Sequence, residues 1–134
     1  MAQKEKIDKR LTPLETLIMN VLWDDSPVSV KQVQERLEAV KPMAYNTVLT
    51  MMRILRDKGF LVSQREGRLD LYSPVVTRQD MGRRSLGEVI DSFFAGSAQA
   101  VVSQLLDGQA LSEKELKSIR AELSRALKRK KEGS

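Results

Sequence analysis

Asn46, Thr47, Thr50 and Arg53 sit in the stretch AYNTVLTMMRILRDKG, residues 44–59. At about 100° per residue they gather on one side of a helix, while Val48, Leu49, Met52 and Leu55 gather on the other. A solvated helix face in a chain with 31% charged residues ordinarily carries Glu and Lys. These four side chains have different chemistry. Asn can bond adenine in bidentate fashion, Thr can bond a base edge or set its methyl against thymine, and Arg can reach guanine or a phosphate. Recognition of base edges is the chemistry the stretch suggests. Backbone capping is the competing account for Asn46 and Thr47, since the same residue types serve at helix starts.

Other chemistries are largely excluded by composition. The chain has 134 residues and neither cysteine nor histidine. Disulfides, thiolate or imidazole metal sites and Cys-His or Ser-His catalytic arrangements are therefore ruled out. No spacing suggests a carboxylate metal site or a Ser-Lys pair, so neither enzyme activity nor a cofactor is expected. The net charge of +5 favours polyanionic partners. Much of it is local. Between residues 41 and 68 the chain carries Lys41, Arg53, Arg56, Lys58, Arg65 and Arg68 against Asp57 and Glu66, six cations less two acids, or +4. There is no apolar run of signal-peptide or membrane-spanning length, which predicts a cytoplasmic protein that does not insert into membranes.

The elements that position these residues are legible from their boundaries. Thr12-Pro13-Leu14-Glu15, Ser29-Val30-Lys31-Gln32 and Ser112-Glu113-Lys114-Glu115 each match a capping box, in which a hydroxyl and a Glu or Gln three residues on satisfy free amides reciprocally. Leu14, Leu17, Ile18, Val21 and Leu22 predict a first helix over 12–24. Val30, Val33, Leu37 and Val40 predict a second, stopped at Lys41-Pro42 because proline disfavours a helical residue before it. The stretch 44–59 is the third, with Gly59 as its left-handed cap. Residues 60–65 and 69–73, joined by Glu66-Gly67-Arg68, read as a β-hairpin.

Helix, helix, helix and hairpin are the parts of a winged helix-turn-helix, whose second motif helix enters the major groove. In that arrangement 44–59 reads bases. Arg65, Gly67 and Arg68 at the hairpin tip suit a wing on the phosphate backbone or in the minor groove, and Lys41 suits a phosphate. Tyr45 falls near the buried stripe, which predicts a packed ring with its hydroxyl free for a phosphate. Beyond Pro74 the pattern is helical only. Leu86, Val89, Ile90, Phe93 and Phe94 form one stripe, Ala98, Val101, Val102, Leu105 and Leu106 a second, and Leu116, Ile119, Leu123 and Leu127 a third. Short helices with such stripes find the missing cover by pairing with a second copy or by packing back on the N-terminal domain.

The segments LTPLETLIMNVLWDDSPVSVKQVQERL, AYNTVLTMMRILRDKGFL and REGRLDLYSPVV, with their L-T-P-x-E, V-L-W and Y-x-T-V-L-T-M-M signatures, resemble the penicillinase-repressor family, the BlaI/MecI/CopY group of bacterial transcriptional regulators. The likeness runs from Leu11 to about Leu127. It implies a winged-helix repressor that dimerises through its C-terminal helices and occupies a dyad-symmetric operator. It also implies induction, through a membrane-bound sensor metalloprotease that leads to cleavage of the repressor, or in the copper branch through metal binding by C-terminal cysteines. This chain departs from the pattern at three points. It has no cysteine for the copper site. At the bond cleaved in lactam-responsive members, where they carry Asn-Phe, it reads Gln104-Leu105. Ile54 stands where relatives often carry Arg, which leaves Arg53 or Arg56 to supply a phosphate contact.

The expected architecture is mainly α with a small β-hairpin. Its parts are a flexible N-terminal tail over 1–10, a winged helix-turn-helix domain over 11–76, a helical dimerisation segment over 77–128 and a basic tail over 129–134. Leu86, Val89, Ile90, Phe93, Phe94, Val101, Val102, Leu105, Leu116, Ile119 and Leu123 are its expected dimer contacts. The expected function is sequence-specific repression by a homodimer on double-stranded DNA. The alternative is a winged-helix module that binds a protein through its hairpin and third helix.

Overall fold

The computed structural model describes residues 10–133, so residues 1–9 of the expected N-terminal tail and the last residue of the basic tail lie outside the described residues. The chain divides into two compact units, one up to Arg84 and one from Ser85. In the first, the element order is α1 (Pro13–Asp24), α2 (Val30–Leu37), α3 (Tyr45–Lys58), β1 (Leu61–Glu66) and β2 (Leu69–Pro74), followed by the start of α4 (Arg78–Phe93). Both capping boxes predicted here are formed: Thr12 and Glu15 close the start of α1, and Ser29 and Gln32 close the start of α2. Pro13 occupies the first turn, where no amide donor is missed.

The core of this unit is apolar and continuous. Ile18, Met19 and Leu22 of α1, Val30, Val33 and Leu37 of α2, and Val48, Met52 and Leu55 of α3 meet Phe60, Leu61 and Tyr72 beneath the hairpin. The face of α1 differs from the predicted one. Glu15 and Met19 are buried, whereas Leu17 and Val21 are only half-buried. The apolar periodicity could not place Glu15, because its burial depends on a cation from α3. α2 also ends earlier than predicted. It stops at Leu37, and the amides of Val40 and Lys41 turn back onto the Leu37 carbonyl at 3.0 and 2.8 Å. Val40 is consequently 66% exposed rather than part of the core. The helix ends where its last core-facing residue has been placed, and the Gln34 amide donates to the Met43 carbonyl to hold the following linker.

β1 and β2 pair antiparallel from Leu61↔Pro74 to Glu66↔Leu69, leaving Gly67 and Arg68 as a two-residue turn. Gly67 has φ 63°, and Arg68 is not among the positive-φ residues, the pattern of a turn that wants Gly at its first central position. Val28, in the α1–α2 loop, adds a bridge to the hairpin: its amide donates to the Tyr72 carbonyl at 3.1 Å, and the Tyr72 amide donates back at 2.8 Å. Nothing in the local residue pattern announces this bridge. It holds the base of the hairpin against the start of α2.

The second unit continues α4 and adds α5 (Ala98–Asp107) and α6 (Glu113–Glu132). Ser97 caps α5, and Ser112 with Glu115 forms the third capping box. No described residue from Ser85 onward is buried. Phe93 is 81% exposed, and Leu86, Val89, Val102, Leu105, Leu106, Leu116, Leu123 and Leu127 are all exposed. Among the described residues no single helix is long and apolar enough to cross a membrane.

Candidate nucleic-acid interface

α3 forms because its two ends and one face are each specified. Val48, Met52 and Leu55 are fully buried, which gives the helix its inner side. Gly59 takes the left-handed conformation, φ 95° and ψ 7°, and the Phe60 amide donates to the Leu55 carbonyl at 2.9 Å. A residue with a Cβ would strain that cap. Leu55 and Phe60 are both fully buried in the same apolar core, which anchors the chain on either side of the cap.

The start of α3 bears on the two accounts of its polar residues. The N-cap is Ala44, with no side-chain cap hydrogen bond. Asn46 and Thr47 follow the cap, so their side chains are not placed as the N-cap side chain would be. Asn46, Thr47, Thr50 and Arg53 are all exposed. None has a side-chain hydrogen bond or ion pair to another described residue. A capping role for Asn46 and Thr47 therefore has no bond to support it, and their exposed side-chain donors and acceptors have no partner among the described residues.

Folding sorts the six cations of residues 41–68 into two groups. Lys58 is committed to Glu15, its ammonium 3.0 and 2.8 Å from the two carboxylate oxygens. Arg56 lies 3.6 Å from Asp57, and Arg65 lies 3.3 Å from Asp70 across the hairpin. The Arg65–Asp70 pair is exposed, so it is worth about 0–1 kcal/mol and is easily exchanged for another anion. Lys41, Arg53 and Arg68 form no ion pair among the described residues.

Arg53 and Arg68 line one groove with Lys31, Tyr45, Leu49 and Asp70, the carboxylate of Asp70 being the one that pairs with Arg65. Three cations from α2, α3 and the hairpin tip thus converge beside the exposed polar face of α3. The sequence pattern did not single out Lys31, which lies far from the other two along the chain and inside a capping box that accounted for its neighbours. Tyr45 differs from the expectation of a packed ring: it is 44% exposed and forms part of the groove wall. Gly67 lies at the hairpin tip, where an added Cβ would meet nothing within 4 Å. Its φ, not crowding within the chain, is what calls for glycine there.

The Glu15–Lys58 pair fixes the rear of this surface. Burial alone would raise the Glu15 pKa, but hydrogen bonds from Lys58 and from the Thr12 amide, together with the Lys58 charge, leave it below the ordinary carboxylate value. The pair joins the first turn of α1 to the last turn of α3. The end of α3 opposite its polar N-terminal turns is thereby held to the core.

Residues 11–125 match the family model described as Penicillinase repressor. A penicillinase repressor from Bacillus licheniformis is 26% identical over 123 residues, 92% of this chain and 96% of that protein. The transcriptional regulator BlaI of Mycobacterium tuberculosis is 32% identical over 103 residues, 73% of this chain and 72% of its own. Among solved structures, hsRosR-S4 superimposes with a TM-score of 0.55 at 16% identity, covering 95% of this chain and 99% of that one, a likeness of fold.

Proposed function

This chain belongs to the penicillinase-repressor family of DNA-binding transcriptional regulators, and we propose that it acts as a homodimer, each protomer placing α3 in the major groove of one half of a dyad-symmetric operator. Asn46, Thr47, Thr50 and Arg53 face the bases. Lys31 and Arg68, with the Tyr45 hydroxyl and Lys41, face the phosphates beside them, and Arg65 and Gly67 bring the wing to the backbone. The observation that carries this reading is the outward polar face of α3, without partners among the described residues, with Lys31 and Arg68 converging on Arg53 at its edge. Repression follows from occupying a promoter. Residues 11–76 serve as the DNA-binding part and 77–128 as the dimerisation part. The exposed apolar residues of α4, α5 and α6 supply the surface for pairing.

Two measurements test the assignment of contacts. Thr50→Ala is expected to cost about 1–3 kcal/mol of specific affinity, the range for a good base contact, and to leave binding to unrelated duplex unchanged. A gel-shift titration in which Thr50→Ala preserves sequence preference would remove Thr50 from the reading face. Lys31→Ala is expected to weaken binding to every duplex alike and to lower the slope of log affinity against log salt by about 1, as loss of one phosphate contact does. An unchanged slope would place Lys31 off the DNA. A protein-binding winged helix, the alternative use of the fold, would show no duplex binding even at low salt.

Induction by cleavage is part of the same proposal. Gln104 and Leu105 lie in α5, and both are exposed. Gln104-Leu105 is not the Asn-Phe pair cleaved in relatives, so this step requires a membrane-bound sensor metalloprotease that accepts the different pair; cleavage there would divide the helices that hold the dimer. One winged domain then retains too few contacts to keep a site occupied.

A further inference from the structure

Ile54 is 43% exposed on α3. By helical position it projects between Thr47 and Thr50, on the arc that also carries Asn46, Arg53 and Asp57, and it is the only aliphatic side chain there. Isolated exposed apolar residues are ordinary on protein surfaces. This one is set apart by its neighbours, exposed hydroxyls without side-chain partners among the described residues. A β-branched residue on a solvated helix face also gains nothing in helix propensity over Lys, Gln or Glu.

We infer that Ile54 is a specificity-determining residue that packs against the C5 methyl of a thymine, a role that rests on α3 being the base-recognition helix. An aliphatic side chain has no hydrogen bond to offer a base. The thymine methyl is the one apolar landmark on the floor of the major groove, and it is the feature that separates thymine from uracil. Thr47 and Thr50 can bond adjacent edges while Ile54 covers the methyl and excludes water from it. The result is a preference for an A·T pair at that step, exerted without a hydrogen bond.

The test uses the full chain and a duplex selected by it from a randomised dyad-symmetric library. Each thymine of that duplex is replaced in turn by deoxyuridine, which removes one methyl group and leaves pairing intact. For the wild-type protein, one such replacement in a half-site is expected to weaken binding about fourfold, the effect of losing one buried methyl group. Ile54→Ala is expected to bind the thymine and deoxyuridine duplexes equally and to retain wild-type affinity for unrelated DNA. Identical deoxyuridine profiles for wild type and Ile54→Ala, with Thr50→Ala still losing preference, would overturn the role of Ile54 and leave the reading face in place. Failure to enrich any duplex would remove the reading face and this contact with it.

Discussion

On the proposed pairing of the C-terminal helices, Phe93→Gln is expected to leave the protein monomeric at micromolar concentration and to abolish high-affinity binding to a dyad operator. Phe93 is 81% exposed at the end of α4, so its replacement removes little packing from within the chain. A buried aromatic anchor in an interface contributes about 2 kcal/mol or more, and a two-fold interface contains it twice, so dimerisation should weaken by about 4 kcal/mol, roughly a thousandfold. Binding to the dyad should fall by about 10²-fold or more, because the second half-site is then no longer held at high effective concentration. Binding to a single half-site should not change. Sedimentation equilibrium reads the first effect, and titration of full-site and half-site duplexes reads the second. Unchanged mass together with unchanged full-site affinity would show that the apolar stripes of the C-terminal helices serve something other than pairing.

Glu15→Gln is expected to destabilise the N-terminal unit by about 2–3 kcal/mol at pH 7, because it leaves the largely covered Lys58 ammonium opposite a neutral amide. The figure lies below that for a fully enclosed pair because water still reaches part of Lys58. The effect should depend on pH. The folded-state pKa of Glu15 is lowered, so the stabilisation is complete above the ordinary carboxylate value and is lost as pH falls through the lowered one. The difference between wild type and Glu15→Gln should therefore shrink on acidification from pH 7 towards about 3. Trp23, the single tryptophan, donates its indole N–H to the Val76 carbonyl in this unit, so denaturant unfolding followed by its fluorescence isolates the relevant transition. A difference that stays constant over that range would mean that the Lys58 contact does not set the Glu15 proton affinity.

Different parts of this protein were legible in its sequence to different degrees, and the division follows the range of the forces involved. The three capping boxes, the Gly59 cap and the hairpin are decided within a few residues of chain, by backbone donors and acceptors that need a partner nearby, although the turn is one residue tighter than expected because Glu66 pairs with Leu69. All are present where the residue types placed them. The same short range explains why the polar face of α3 could be seen at once, since residues three and four apart share a helix side whatever surrounds the helix. Val40 departs from its expected place for the matching reason: periodicity continues past Leu37, but the core does not.

The sequence by itself determined the order of the elements, their capped starts and the residue types on the outer face of α3. Only the tertiary structure decided which cations remain available and where they meet. Lys58 and Glu15 are 43 residues apart in sequence, and their contact withdraws one cation from the surface while burying a carboxylate that reads locally as a cap alone. Lys31, Arg53 and Arg68 converge because α2, α3 and the wing pack on one core, with Val28 bridged to Tyr72 at the base of the hairpin. Local hydrogen bonding and helical periodicity carry no information about such convergence. It arises when apolar burial brings distant elements together, and that is the step at which a set of basic residues becomes a surface.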